Sequence, residues 1–87
     1  MGKGKPVSRI IDHFKAIAQG GNMPCIVNAA NEIVNRGFLE DRCSFLQMSD
    51  IIAETMQRCT FSKNPDYDVY IQTDAEARRI AEAMLKS

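Results

Sequence analysis

The strongest constraint on the fold is a stripe of apolar and small side chains between residues 22 and 39. The stripe recurs every three or four positions, as one face of an α-helix does, at Ile26, Ala30, Ile33, Val34 and Gly37. Asn22 is a residue type that caps helices, and Pro24 suits a first turn because its missing N–H would be unpaired there. We therefore predict a helix from Asn22 to about Leu39, with small residues that let a neighbouring helix approach closely.

Two further helix signals flank this segment. Residues 7–19 have helical spacing and end at two consecutive glycines, which accept the left-handed conformation that terminates helices. Ser49 is a capping residue and predicts a helix over residues 50–58, after a briefly extended stretch at residues 44–46. The apolar stripe of the first segment consists of Ile10, Ile11, Phe14, Ile17 and Ala18.

The last helix signal is a capping box. Thr73 and Glu76 have the T-x-x-E spacing in which each side chain bonds the backbone N–H of the other residue. Residues 60–72 lack helical period and contain a turn signal, so they predict an irregular link. The four segments together predict an all-α fold, namely a small four-helix bundle with an irregular link between helices three and four.

Size and charge limit the classes of function. At 87 residues the chain is one domain at most. Eleven basic and eleven acidic residues give a net charge of zero, so neither a nucleic acid nor a membrane is an expected partner. No apolar stretch approaches the ~20 residues of a membrane span and no signal peptide opens the chain, so a cytoplasmic protein is expected. Residues 1–6 are interpreted as a flexible start or the boundary of a cloned segment, and residues 7–87 as the domain.

The sequence offers few groups for catalysis or metal binding. Its cysteines are Cys25, Cys43 and Cys59. Their spacings are long and His13 is the single histidine, so reduced structural thiols are predicted rather than a zinc site. Cys25 is interpreted as a packed thiol, and His13 as a partly exposed helix residue. Asp66 and Asp68 begin like a calcium loop, but Tyr70 breaks the ligand pattern. We therefore predict no catalytic, cofactor-binding or metal-binding residue.

One polar cluster stands out on the helix of residues 22–39. Asparagine is a mediocre helix former, yet Asn28, Asn31 and Asn35 occur within eight residues, together with Glu32. On a helical wheel these side chains lie on or beside the face opposite the core stripe. Three interpretations stay open: hydrogen bonds that pin an adjoining loop, a contact with another domain, and a ligand site. Asn28, Asn31 and Glu32 are the candidates for an interdomain contact.

Three blocks of the sequence resemble one enzyme family in the right order. Residues 20–24 (GGNMP) and 27–33 (VNAANEI) resemble a run of 1-deoxy-D-xylulose 5-phosphate reductoisomerases, with Phe38 and Leu39 following as in that family. Residues 45–51 resemble the next motif with two residues inserted, and residues 73–78 (TDAEAR) resemble the last one. The chain is therefore identified as similar to the C-terminal domain of that family.

The resemblance implies a parent enzyme much larger than this chain. Such an enzyme converts 1-deoxy-D-xylulose 5-phosphate to 2-C-methyl-D-erythritol 4-phosphate in the non-mevalonate route to isoprenoids, with NADPH and a divalent metal (Mg, Mn or Co). It is typically a homodimer, with an NADPH-binding domain, a catalytic domain and a C-terminal helical bundle. The family's catalytic, metal and cofactor residues lie in the first two domains and have no counterpart here.

The resemblance thus implies a structural domain that binds neither cofactor and is inactive alone. Its expected partners are the catalytic and NADPH-binding domains of the same parent chain. The alternative, from another class of protein, is a free-standing helical interaction module, which the small size and the polar face opposite the core favour.

Overall fold

The computed structural model describes residues 20–85, which form three helices. We number them α1 (Met23–Leu39), α2 (Phe45–Arg58) and α3 (Tyr67–Met84). The all-α prediction is confirmed for these residues, but they supply three helices rather than the four of the predicted bundle. The helix predicted over residues 7–19 lies outside the described residues. The domain limits at residues 1–6 and 7–87 remain predictions.

The buried face of α1 is the one that the sequence predicts. Ile26, Ala30 and Val34 are fully buried, and Ile33 and Gly37 are buried beside them. α1 packs along both other helices, and its contacts with each are more extensive than those between α2 and α3. Two clusters of buried residues form the core. The first consists of Ala30, Ile33, Val34, Cys43, Ile51, Ile52, Ala81 and Leu85. The second consists of Met23, Ile26, Ala29, Cys59 and Ala77. Each cluster draws on all three helices or the residues that end them.

Gly37 allows α1 to approach the end of α3 closely. A Cβ atom at this position would lie 2.7 Å and 2.9 Å from the two Cδ atoms of Leu85. A glycine inside a helix costs about 1 kcal/mol relative to alanine. Here the missing methyl group makes room for Leu85, which is 6% exposed.

α1 ends in a Schellman motif at the predicted turn. Asp41 has the left-handed φ of 62°. The N–H of Asp41 donates to the Phe38 carbonyl at 3.1 Å, and the N–H of Arg42 donates to the Gly37 carbonyl at 2.7 Å. These two bonds satisfy carbonyls that a helix end would otherwise leave unpaired.

α2 begins five residues earlier than predicted. Ser44 caps it rather than Ser49, so residues 45 and 46 are helical and not extended. The Ser44 hydroxyl accepts from the Gln47 N–H at 3.2 Å, and the Gln47 side chain accepts from the Ser44 N–H at 2.8 Å. This is a complete capping box, with glutamine in the place of glutamate. The predicted end at Arg58 is confirmed.

α3 also begins earlier than predicted. Asp66 caps it by accepting from the Val69 N–H at 2.9 Å. The predicted irregular link of residues 60–72 is therefore wrong over its second half, which is helical from Tyr67. Thr73 is no cap, because it lies in the middle of α3 with its side chain buried. Among α1, α2 and α3, none is long and apolar enough to cross a membrane.

Candidate functional site

Asn22 holds the loop between α2 and α3 against the start of α1. Its Nδ2 group donates to the Thr60 carbonyl at 2.9 Å and to the Thr73 hydroxyl oxygen at 2.8 Å. Its Oδ1 atom accepts from the Ser62 N–H at 2.7 Å, and its backbone N–H donates to the Ser62 carbonyl at 3.0 Å. The side chain is fully buried. We call Asn22, Thr60, Ser62 and Thr73 the loop anchor.

The loop anchor corrects the role that the sequence suggested for Asn22. The residue precedes α1, but its side chain makes no capping hydrogen bond to that helix. Every side-chain bond goes instead to residues 38 to 51 positions away. Gly21 permits the close approach of this loop to the start of α1. Its φ is +58°, and a Cβ atom there would collide with the Ser62 carbonyl oxygen. No local pattern reports such long-range bonds, so sequence reasoning missed the anchor.

Glu76 binds the same loop from α3. Its carboxylate accepts from the Thr60 N–H at 3.1 Å and from the Cys59 thiol at 3.4 Å. The predicted capping role of Glu76 is therefore wrong: with Thr73 inside the helix, the carboxylate fastens the loop residues that follow α2.

The polar face predicted on α1 is exposed to solvent. Asn28, Asn31, Glu32 and Asn35 all lie on the exposed side of the helix. Within residues 20–85 the side chains of the three asparagines form no hydrogen bond to the rest of the chain. We call Asn28, Asn31 and Glu32 the outer face of α1. Of the three interpretations left open, loop pinning thus has no support from these side chains, since the loop is held by Asn22.

Glu32 is the one member of the outer face with an ion pair in the described structure. Its carboxylate lies 2.6 Å from a guanidinium nitrogen of Arg78 on α3. Arg78 also pairs with Asp74 at 2.9 Å on its own helix. Hydrogen bonds to Asp74 and then to Glu32 raise the pKa of the Arg78 guanidinium. Glu32 therefore ties α1 to α3, and Asn28 and Asn31 remain available to a neighbour.

A second ion-pair cluster joins the other ends of α1 and α3. Glu82 lies 2.9 Å from Arg42 and 3.1 Å from Arg36. The hydrogen bond from Arg42 is the main cause of a lowered pKa at the Glu82 carboxyl. These groups are largely exposed, so they orient the helix ends more than they stabilise them.

All three cysteines are free thiols, as predicted. Burial raises the pKa of the Cys25 thiol, and the Asp74 carboxylate raises it further, against the opposing effect of Arg78. Burial and then the Glu76 carboxylate raise the pKa of Cys59 to about 12. Burial likewise raises the pKa of Cys43. A thiolate is the reactive form of cysteine, so none of these environments activates a nucleophile.

Another exposed feature is an apolar patch at the junction of α1 and α2. Leu39 is 83% exposed and Phe45 is 72% exposed. The rings of Phe38 and Phe45 meet edge to face with centroids 6.3 Å apart. We call Phe38, Leu39, Phe45 and Leu46 the junction patch.

The side chains that commonly bind metal ions are dispersed over the described residues. Within residues 20–85, no three His, Cys, Asp or Glu side chains are grouped to hold a metal ion. Asp66 caps α3 and Asp68 lies in the first turn of that helix, so both have structural positions. His13 lies outside the described residues.

Comparison with known proteins identifies the family. Residues 10–80 match the family model described as the DXP reductoisomerase C-terminal domain. The chain belongs to this family. The match begins at residue 10, before the described part of the structure. No solved structure matches the chain significantly.

Curated relatives agree with the family assignment. The chain is 54% identical to a 1-deoxy-D-xylulose 5-phosphate reductoisomerase of Phocaeicola vulgatus over 85% of its own length, and 58% identical to that of Bacteroides thetaiotaomicron over 83%. The enzyme of Porphyromonas gingivalis is 43% identical over 83% of the chain. The chain spans about a fifth of these relatives, or 18–19% of their length.

Proposed function

We propose that the chain serves as the C-terminal structural domain of an NADPH- and divalent-metal-dependent 1-deoxy-D-xylulose 5-phosphate reductoisomerase. The observation that carries this proposal is the family match over residues 10–80. In the proposal the enzyme makes 2-C-methyl-D-erythritol 4-phosphate for isoprenoid biosynthesis in the cytoplasm. The four-helix form of the bundle belongs to the same proposal, with residues 7–19 as its fourth helix.

The described residues support a structural role, in which the domain holds a neighbouring domain in place, rather than a catalytic role. The thiols have raised pKa values, and the acidic side chains that the structure pairs are engaged with arginines or with backbone N–H groups. A rigid three-helix unit with a filled core is suited to hold a neighbouring domain in place. The NADPH and the Mg, Mn or Co ion of the proposed enzyme would be bound by other domains of the parent chain, which is proposed to form a homodimer.

We assign the contact with the neighbouring domain to the outer face of α1. Asn28 and Asn31 present amide groups that both donate and accept hydrogen bonds, and neither is used within residues 20–85. Glu32 lies beside them and is fixed by Arg78. An array of exposed amides on a rigid helix would recognise backbone groups of a neighbouring loop.

A kinetic comparison tests the proposed activity. The complete enzyme should oxidise NADPH in the presence of 1-deoxy-D-xylulose 5-phosphate and Mg²⁺, and the 87-residue chain alone should not. Turnover by the chain alone would refute a purely structural role. An antibody raised against the chain should detect a native protein several times heavier than 9.7 kDa. A native band near 9.7 kDa would instead support the free-standing interaction module.

A second experiment tests the outer face. In the complete enzyme, replacing Asn28, Asn31 and Glu32 together with alanine should lower activity or the melting temperature. The matched control is Gln57→Ala, an exposed polar residue of α2 outside the proposed contact. If the triple variant and the control behave alike, the outer face is no interface.

A further inference from the structure

An exposed stripe on α3 carries an acid at one end, a base at the other and apolar side chains between them. It consists of Asp68, Ile71, Ala75 and Arg79, which recur every three or four positions of the helix. At about 3.6 residues a turn they fall within about 80° of one another, on the side opposite the buried Thr73. All four are exposed, and Ile71 is 54% exposed. We call these four residues the α3 stripe.

The two end charges of the α3 stripe have no ion-pair partner within residues 20–85. Their neighbours on the helix differ, because Asp74 pairs with Arg78, and Arg78 also pairs with Glu32. Asp68 and Arg79 lie eleven positions apart, or about 16 Å along the helix axis, so they cannot pair with each other in one chain. One carboxylate and one guanidinium group therefore flank an exposed apolar stretch of the helix.

We propose that the α3 stripe binds the α3 stripe of a second copy of this chain, with the two helices antiparallel. A two-fold axis at the midpoint of the stripe sets Asp68 of each copy level with the partner's Arg79. The same rotation brings Ile71 to within about 2 Å, measured along the helix axis, of the level of the partner's Ala75. The alanine is small, so the two helices can approach closely beside the isoleucine side chains. The stripe is thus complementary to itself, as a two-fold interface requires.

The charges of the α3 stripe select both the partner and the orientation. Parallel helices would set Asp68 against the partner's Asp68 and Arg79 against the partner's Arg79, and like charges at an interface repel. Antiparallel helices instead form two opposite-charge pairs, one on either side of the apolar centre. The junction patch is also exposed, but its side chains are all apolar and offer no such selection.

The small size of the contact sets its strength. An interface between one helix and its copy falls at the low end of interface sizes, below about 1,200 Å², where association is weak. We therefore expect a dissociation constant between about 10 µM and about 1 mM. This inference concerns the self-association of the 87-residue chain and does not depend on the proposed activity.

Sedimentation equilibrium of the full chain over this range of concentration tests the proposal, and an equilibrium between monomer and dimer is expected. Asp68→Lys and Arg79→Glu should each raise the dissociation constant by about tenfold or more, because either change makes both attractive pairs repulsive. Gln57→Lys, which adds a cation to the exposed surface of α2, is the matched control and should leave the constant unchanged. A chain that stays monomeric throughout would overturn the proposal, as would single variants that dimerise like the unchanged chain.

Mixing the two single variants separates the pairing of charges from damage to the fold. Asp68→Lys has cations at both ends of the stripe and Arg79→Glu has anions at both ends, so in the mixture every end charge meets an opposite charge. The mixture should form a heterodimer about as tightly as two unchanged chains associate, and the double variant should associate with itself likewise. Lysine and glutamate are good helix formers, so both variants should keep α3. A mixture that binds no more tightly than either variant alone would show that the two charges do not meet and would overturn the antiparallel contact.

Discussion

Asparagines at the start and along the outside of α1 have opposite environments. Asn22 is fully buried and bonds three loop or helix groups, whereas Asn28 and Asn31 are exposed and bond none within residues 20–85. The buried arrangement stabilises the fold, because burying an amide costs free energy unless each of its polar atoms forms a hydrogen bond. The exposed arrangement leaves the amide groups of Asn28 and Asn31 able to form hydrogen bonds with a neighbouring domain. The same residue type on one helix thus serves stability at one site and recognition at the other.

Replacing the buried asparagine should have the largest effect. Asn22→Ala removes three side-chain hydrogen bonds, each worth about 1 kcal/mol net, and should lower the free energy of unfolding by about 3 kcal/mol. Asn31→Ala, its exposed counterpart, should change it by less than about 0.5 kcal/mol. Urea unfolding followed by circular dichroism measures both. Equal losses would abolish the distinction between the two kinds of asparagine.

Thr73 tests one bond of the loop anchor in isolation. Thr73→Val keeps the shape of the side chain but removes the hydroxyl oxygen that accepts from Asn22 at 2.8 Å. The buried Nδ2 group then loses one partner, so the free energy of unfolding should fall by about 1–2 kcal/mol. Thr73→Ser retains the hydroxyl and should recover most of the bond. A valine variant as stable as the parent would show that the bond adds nothing.

Cys59 makes the anchored region sensitive to alkali. In the folded chain the pKa of the Cys59 thiol is raised from its ordinary value of 9.0 to about 12, first by burial and then by Glu76. The folded state therefore holds the thiol proton more tightly than the unfolded state. The resulting stabilisation is complete below pH 9 and is lost as the pH rises from 9 towards 12.

Urea unfolding at several pH values between 7 and 11 measures this effect. Cys59→Ala should show a smaller alkaline decline in unfolding free energy than the parent chain, and the difference between the two isolates this thiol from other titrating groups. Two parallel curves would contradict the assignment.

The smallest loss from breaking a contact is expected at the exposed ion pair between Glu32 and Arg78. Arg78→Ala removes the bonds to Glu32 and Asp74, and surface pairs of this kind contribute within about 1 kcal/mol. The loss should shrink further in 0.5 M NaCl because salt screens exposed charges. Arg58→Ala, which breaks a pair inside α2, is the control. An effect as large as that of Asn22→Ala would place the outer face among the stabilising regions.

Sequence patterns predicted the parts of the fold that depend on neighbours along the chain. The α1 core stripe and the two ends at Leu39 and Arg58 follow from side-chain periodicity and turn residues, and all are confirmed. The sequence also contains a signal for the start of α2, because Ser44 and Gln47 have the spacing of a capping box. Ser49 is also a capping residue type, but the helix begins at the complete box, in which the backbone N–H groups of Ser44 and Gln47 are both satisfied.

The start of α3 shows where local signals conflict. Thr73 and Glu76 match a capping box, yet Asn22 and Thr60 bind these two side chains across 51 and 16 positions of the sequence. Tertiary bonds therefore override the local motif. The helical wheel predicts that Asn28, Asn31 and Glu32 lie on an exposed face, and their exposure is confirmed. Their contact with another domain stays a prediction.

The reciprocal bonds between Asn22 and Ser62 have a kinetic consequence. The Asn22 N–H donates to the Ser62 carbonyl, and the Ser62 N–H donates to the Asn22 side chain. Loop amides normally exchange with solvent through small local openings. To release either of these protons, the start of α1 must separate from the loop before α3. The Ser62 amide should therefore exchange as slowly as amides at the centre of a helix, although it lies outside any helix.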